Sequence, residues 1–78
     1  MEITVDIKDP TPVYRQIADQ LEKMIRSGRL KPGQKLPSET TLVQETGAAR
    51  MTVRHALETL RDKGLIITAP ARGSWVKE

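Results

Sequence analysis

Residues 47–60, Gly47-Ala48-Ala49-Arg50-Met51-Thr52-Val53-Arg54-His55-Ala56-Leu57-Glu58-Thr59-Leu60, constrain the fold more than any other stretch. Val53, Ala56, Leu57 and Leu60 recur at helical spacing and define one apolar stripe that has to be buried. Arg50, Thr52, Arg54 and His55 fall at the front of the same helix, mostly off that stripe. A helix that buries one face and presents arginine and threonine from its first turns fits the DNA major groove, where such side chains meet phosphates and base edges. Taken alone, it fits an ordinary surface helix with a solvated charged face equally well.

The flanking segments tip the balance. Thr11 is a suitable N-cap and Pro12 suits a first helical position, where its missing N–H is no loss. Tyr14, Ile17, Ala18, Leu21, Met24 and Ile25 then follow at helical spacing, so a first helix is expected from Pro12 to Ser27, closed by Gly28. Pro32-Gly33 reads as the middle of a tight turn, with Leu30 and Leu36 pinning the connection to the core. Ser38 caps a short second helix, Glu39 to Thr46, which buries Leu42 and Val43 and ends at Gly47. Only Ala48 and Ala49 then separate Gly47 from Arg50, and two helices joined by so short a link form a helix-turn-helix.

The third helix is expected to run to Lys63 and close at Gly64. Leu65, Ile66, Ile67 and Thr68 suit a strand, Ala69-Pro70-Ala71-Arg72-Gly73 a turn, and Ser74-Trp75-Val76 the returning strand. The fold class is therefore mainly α with a small β hairpin: a winged helix-turn-helix of three helices plus a two-stranded wing. Residues 11–78 are assigned to it. Residues 1–10 form an N-terminal arm or short strand, in which Ile3, Val5 and Ile7 alternate with polar residues before Asp9-Pro10.

Composition sets the remaining bounds. Seventy-eight residues with 37% hydrophobic content and only Tyr14 and Trp75 as aromatics allow one domain with a modest aliphatic core, onto which both rings are expected to pack. Residues 50–78 carry six Lys/Arg against three acids, whereas residues 1–49 balance, so the net charge of +3 lies on the third helix and the segment C-terminal to it. That is the footprint expected for a polyanion partner. The absence of cysteine removes disulfides and thiolate metal sites. His55, the single histidine, has no Cys, His or acid at ligand spacing, so neither a metal nor a cofactor is expected. With no Gly-rich phosphate loop and no carboxylate pair, an enzyme is not expected either. No apolar run approaches the roughly 18 residues of a membrane span, and residues 1–6 lack a signal pattern, so the chain is expected to be cytoplasmic with no membrane partner.

The chain from Pro12 to Val76 resembles the N-terminal DNA-binding domain of GntR-family bacterial transcription regulators. The resemblance rests on marks in order: Pro12-Val13-Tyr14-Arg15-Gln16-Ile17, Leu30-Lys31-Pro32-Gly33, Leu36-Pro37-Ser38-Glu39, Arg50-Met51-Thr52-Val53-Arg54, Gly64-Leu65-Ile66, and Arg72-Gly73 before Trp75-Val76. It implies a repressor of transcription that binds a palindromic operator on double-stranded DNA as a homodimer. The third helix would enter the major groove and the wing the minor groove. It implies DNA contacts by Arg50, Thr52 and Arg54, a phosphate near Ser38, and a wing tip at Arg72 and Gly73. His55 is expected as a rim contact or as ordinary surface. Three positions depart from the family pattern. Thr40 stands where arginine is frequent and offers only a hydroxyl, Ala49 cannot cap the third helix, and Met51 replaces a commonly polar residue, so it packs on a thymine methyl or faces solvent. Family members normally continue into an effector-binding domain, so a small-molecule effector is expected only if a C-terminal domain is missing from this chain. The free chain is then expected to be monomeric or weakly dimeric, pairing on DNA through the arm or the exposed face of helix one. The rival reading is a winged-helix module for protein–protein interaction, which calls for exposed apolar residues on the recognition face; Met51 alone fits it.

Overall fold

The computed structural model describes residues 2–78, in the order α1 (Val13–Ser27), α2 (Glu39–Thr46), α3 (Arg50–Asp62), β1 (Ile66–Ala69) and β2 (Gly73–Val76). Ile17, Ala18 and Leu21 form the buried stripe of α1, and Val53, Ala56, Leu57 and Leu60 that of α3. The two stripes pack on each other, with Leu42 of α2, Leu30, Leu36, Ile66 and Val76 closing the same core. Removing this aliphatic surface from water is what holds three short helices together, since none is long enough to be stable alone.

The helix ends differ slightly from expectation. Pro12, not Thr11, stands at the N-cap of α1, with an extended ψ of 144° and no side-chain cap. The Gln16 amide reaches back instead and donates to the Thr11 carbonyl at 2.9 Å. At the far end of α3, Lys63 is the C-cap and Gly64 follows at φ 76°. The amides of Gly64 and Leu65 donate to the Arg61 and Leu60 carbonyls at 2.9 and 3.0 Å, a glycine-dependent closure that turns the chain directly into β1.

β1 and β2 pair antiparallel, with Ile66 opposite Val76 and Ala69 opposite Gly73. The connection before α2 adds a third edge: Leu36 donates to the Ser74 carbonyl at 2.8 Å, and the Val76 amide donates to the Gln34 carbonyl at 2.9 Å. This register points Ser74 and Val76 inward. Trp75 therefore lies on the opposite face, half-buried, with the Lys35 ammonium 5.6 Å from its ring centroid. The expectation that Trp75 faces the core is corrected by this alternation.

The arm is not a strand. Met1 falls outside the described residues; residues 2–6 run extended with no strand partner, and residues 7–11 turn, with the Asp9 amide donating to the Asp6 carbonyl at 3.2 Å. Two glutamine side chains of α1 stand in for the missing ladder. The Gln20 amide accepts from the Thr4 N–H at 3.1 Å and donates to the Thr4 carbonyl, and Gln16 treats Asp6 the same way at 2.9 and 3.0 Å. A carboxamide presents the same donor–acceptor pair as a peptide, so it satisfies an isolated strand's backbone. Ile3 is thereby buried in the chain's own core and Val5 half-buried, leaving only Ile7 exposed. The arm is fastened to its own domain rather than held out as an apolar surface.

Candidate nucleic-acid interface

The helix-turn-helix sets the site. Ser38 caps α2: its hydroxyl oxygen accepts from the Thr41 N–H at 3.1 Å and donates to Thr41 Oγ1 at 3.0 Å. This cap fixes where Glu39 and Thr40 emerge, and Gly47, at φ 72°, turns the chain so that α3 starts beside them. The first turns of α3 then bring Arg50 and Arg54 against the start of α2.

One carboxylate organises both arginines. Arg54 donates through Nε to Glu39 Oε2 and through Nη2 to Oε1, each at 3.0 Å, while its Nη1 lies 3.8 Å from Met51 Sδ. Arg50 donates to Glu39 Oε1 at 3.3 Å and to Thr40 Oγ1 at 3.2 Å. The hydrogen bond from Arg54 is the main reason the Glu39 carboxyl sits below its ordinary range, opposed by partial desolvation and helped by the nearby Arg50. The arginine side chains nevertheless remain nearly half exposed, at 49% and 46%. Such pairs are worth only about 0–1 kcal/mol each, so a phosphate or a guanine edge can compete for either guanidinium. Arg54 thus pairs across the turn, with an acid 15 residues away in the chain.

The other expected site residues are arranged around this pair. Thr52 is half-buried on the flank of α3, and Met51 is 68% exposed on its outward face. His55 is exposed and stacks on Tyr14, with ring centroids 3.8 Å apart and planes within 12°. Tyr14 is therefore a half-buried bracket between α1 and the edge of α3 as well as part of the core rim. Arg72 is exposed in the wing turn, which its amide closes by donating to the Ala69 carbonyl at 3.0 Å. Gly73 sits at φ 119°, a backbone conformation in which an L side chain is strained, while the flexible end of Lys35 is the only neighbour a Cβ there would have to displace. The wing tip thus needs glycine at this position.

A cleft of about 600 Å³ joins the elements, lined by Ser38, Glu39 and Arg54 on the helix side and by Arg72 on the wing, with Lys35 and Arg61 between them. Five of the expected residues, Ser38, Thr40, Arg54, Arg72 and Gly73, line this one cleft, with Arg50 bonded to Thr40 at its edge. Thr52 and His55 lie outside it, on the other flank of α3. Sequence reasoning missed Glu39, Lys35 and Arg61 as members. Glu39 was legible as a helix-start acid, but its bridging role depends on contacts 11 and 15 residues away.

Residues 13–76 match the sequence model of the bacterial regulatory proteins of the gntR family. The chain belongs to the GntR family. Among its relatives, the mannosyl-D-glycerate transport/metabolism system repressor MngR of Escherichia coli K12 is 45% identical over 67 residues, covering 86% of this chain and 28% of MngR. The transcriptional repressor YtrA of Bacillus subtilis is 37% identical over 76 residues, covering 97% of this chain and 58% of YtrA. The chain spans about a third or less of MngR and of the repressor NagR, and more than half of YtrA. Among solved structures, YtrA from Sulfolobus acidocaldarius superposes with a TM-score of 0.90 at 41% identity, over all of this chain and 82% of that one. The AraR DNA-binding domain in complex with operator ORX1 superposes with a TM-score of 0.87 at 30% identity, over 97% of this chain and 98% of that one. The fold is therefore the winged helix-turn-helix of GntR DNA-binding domains, in a family of DNA-binding transcription regulators. Among the described residues no helix is long and apolar enough to cross a membrane.

Proposed function

We propose that this GntR-family chain represses transcription by binding a palindromic operator, one copy on each half-site. In this reading the start of α3 enters the major groove and the wing tip the adjacent minor groove. The observation that carries it is the shared cleft: α2, α3 and the wing converge on one concave face lined by four cations, Lys35, Arg54, Arg61 and Arg72, against two acids, Glu39 and Glu58. Arg50, Thr52 and Arg54 are the base- and phosphate-facing groups, with Ser38 and Thr40 at the phosphate wall, Arg72 and Gly73 at the minor groove and His55 at the rim. Repression is supported by the relatives MngR, NagR and YtrA, each named as a repressor, and operator binding by the AraR complexes. A small-molecule effector belongs, in this reading, to a further domain of a longer protein and not to this one. Two-fold pairing follows from the size of the unit, since one module covers one half-site.

Selection from random-sequence DNA tests the proposal. The expected outcome is an enriched inverted repeat bound by two copies, and a pool with no preferred sequence would refute it.

A further inference from the structure

We propose that Met51 is a specificity-determining residue that reads thymine: its exposed thioether packs on the C5-methyl group of a thymine in each half-site. The inference rests on the DNA-binding reading above and adds a base to it. Met51 is 68% exposed and is not among the residues that pack on the core, so neither burial nor packing accounts for an apolar side chain there. It is the second residue of α3, on the face opposite the buried stripe of Val53, Ala56, Leu57 and Leu60. Its sulfur is held 3.8 Å from Arg54 Nη1, which places the side chain beside the guanidinium rather than free in solvent.

The surroundings select the occupant. Among the described residues the other large exposed apolar side chains, Ile7 and Ile67, belong to the arm and to the outer side of the wing, so Met51 is a single apolar group among Arg50, Arg54 and His55. A protein partner needs a contiguous apolar patch, and none surrounds it. In the major groove, by contrast, each base edge shows hydrogen-bonding groups, and the one apolar group on display is the thymine methyl. Methionine is unbranched and polarizable, so it can follow a methyl without a shape-matched pocket. Its contact with Arg54 places that thymine next to the base pair that Arg54 faces.

A uracil scan reads this directly, because uracil lacks only the C5-methyl. Each thymine of the selected operator is replaced singly by deoxyuridine, and binding is measured for the wild-type chain, Met51→Ala and Met51→Gln. One thymine per half-site is expected to cost the wild type about fourfold in affinity on replacement, the equivalent of one buried methyl group. The same replacement is expected to cost neither variant anything, and 5-methylcytosine placed there in a C·G pair is expected to bind the wild type better than cytosine does. Circular dichroism melts check that the exposed substitutions leave the fold unchanged. Uracil tolerated at every thymine, an equal penalty with Met51→Ala, or a half-site without a preferred thymine would each overturn the proposal. Failure of the wild type to enrich any sequence would overturn the operator-binding reading along with it.

Discussion

Replacing Glu39 by glutamine is the perturbation whose outcome is tied most closely to the geometry. Glu39 is the acid that bridges Arg50 and Arg54 in a cleft whose other charged groups are mainly cationic. In the proposed binding mode its carboxylate competes with DNA phosphate for the same two guanidinium groups. Glutamine keeps the size and one acceptor oxygen but removes the charge, so one or two guanidinium groups become available to phosphate. At about −0.9 per neutralised phosphate, the slope of log affinity against log salt should steepen by about 1 to 2. Affinity for random DNA should rise several-fold at low salt. The preference for the selected operator should shrink, because the arginines lose the partner that orients them towards base edges. The fold should lose no more than about 2 kcal/mol, since each of the two pairs, with its arginine nearly half exposed, is worth about 0–1 kcal/mol. Fluorescence anisotropy on selected and random duplexes across a salt series measures the slope and both affinities, and a denaturant melt measures the stability. An unchanged slope with unchanged random-DNA affinity would show that Glu39 does not compete with phosphate.

Arg54→Ala should cost about 1–3 kcal/mol on the preferred site and much less on random DNA, whereas Arg72→Ala should weaken both comparably, as a duplex competition assay would show. Gln20→Ala should release the Thr4 backbone and speed its amide exchange while leaving the amides of α3 protected, which hydrogen-exchange mass spectrometry can resolve. The Glu22 carboxyl is held below its ordinary 4.5, first by the hydrogen bond from Lys63 and next by that from Arg26. A lowered carboxyl pKa gives stability that is present above the ordinary value and lost as pH falls through the folded one, so Lys63→Ala should flatten the decline in stability as pH falls below that ordinary 4.5 in chemical denaturation.

Much of the fold was legible because its governing signals are local. The stripes of α1 and α3, the caps at Ser38 and Gly47 and the turn at Pro32-Gly33 each depend on residues a few positions apart. The arm was not, because alternation at Ile3, Val5 and Ile7 announces an extended chain without saying what satisfies its backbone, and here glutamine amides from α1 do so. Trp75 was assigned to the wrong face for a related reason. Strand register is set by a partner, and the partner that decides it is Leu36, whose amide bonds Ser74 from a connection with no strand pattern of its own. The expected site residues were chosen by charge and by family pattern, cues that favour groups suited to a polyanion. Those cues are silent about Glu39, whose sign argues against membership and whose role appears only when α2 and α3 are set side by side. Thr40, which departs from the family pattern, holds Arg50 by its hydroxyl.

In the proposed binding mode, DNA is met by the start of α3 and the wing tip together. Backbone amide NMR shifts, followed as the selected operator is titrated into the labelled chain, test it most directly. The largest changes should fall on residues 38–40, 50–55 and 71–73, with the arm, the last turn of α1 and the outer wing residue Ile67 nearly still. Changes concentrated on Ile7, on α1 or on the Ile67–Trp75 face, with Arg50, Arg54 and Arg72 unmoved, would contradict it.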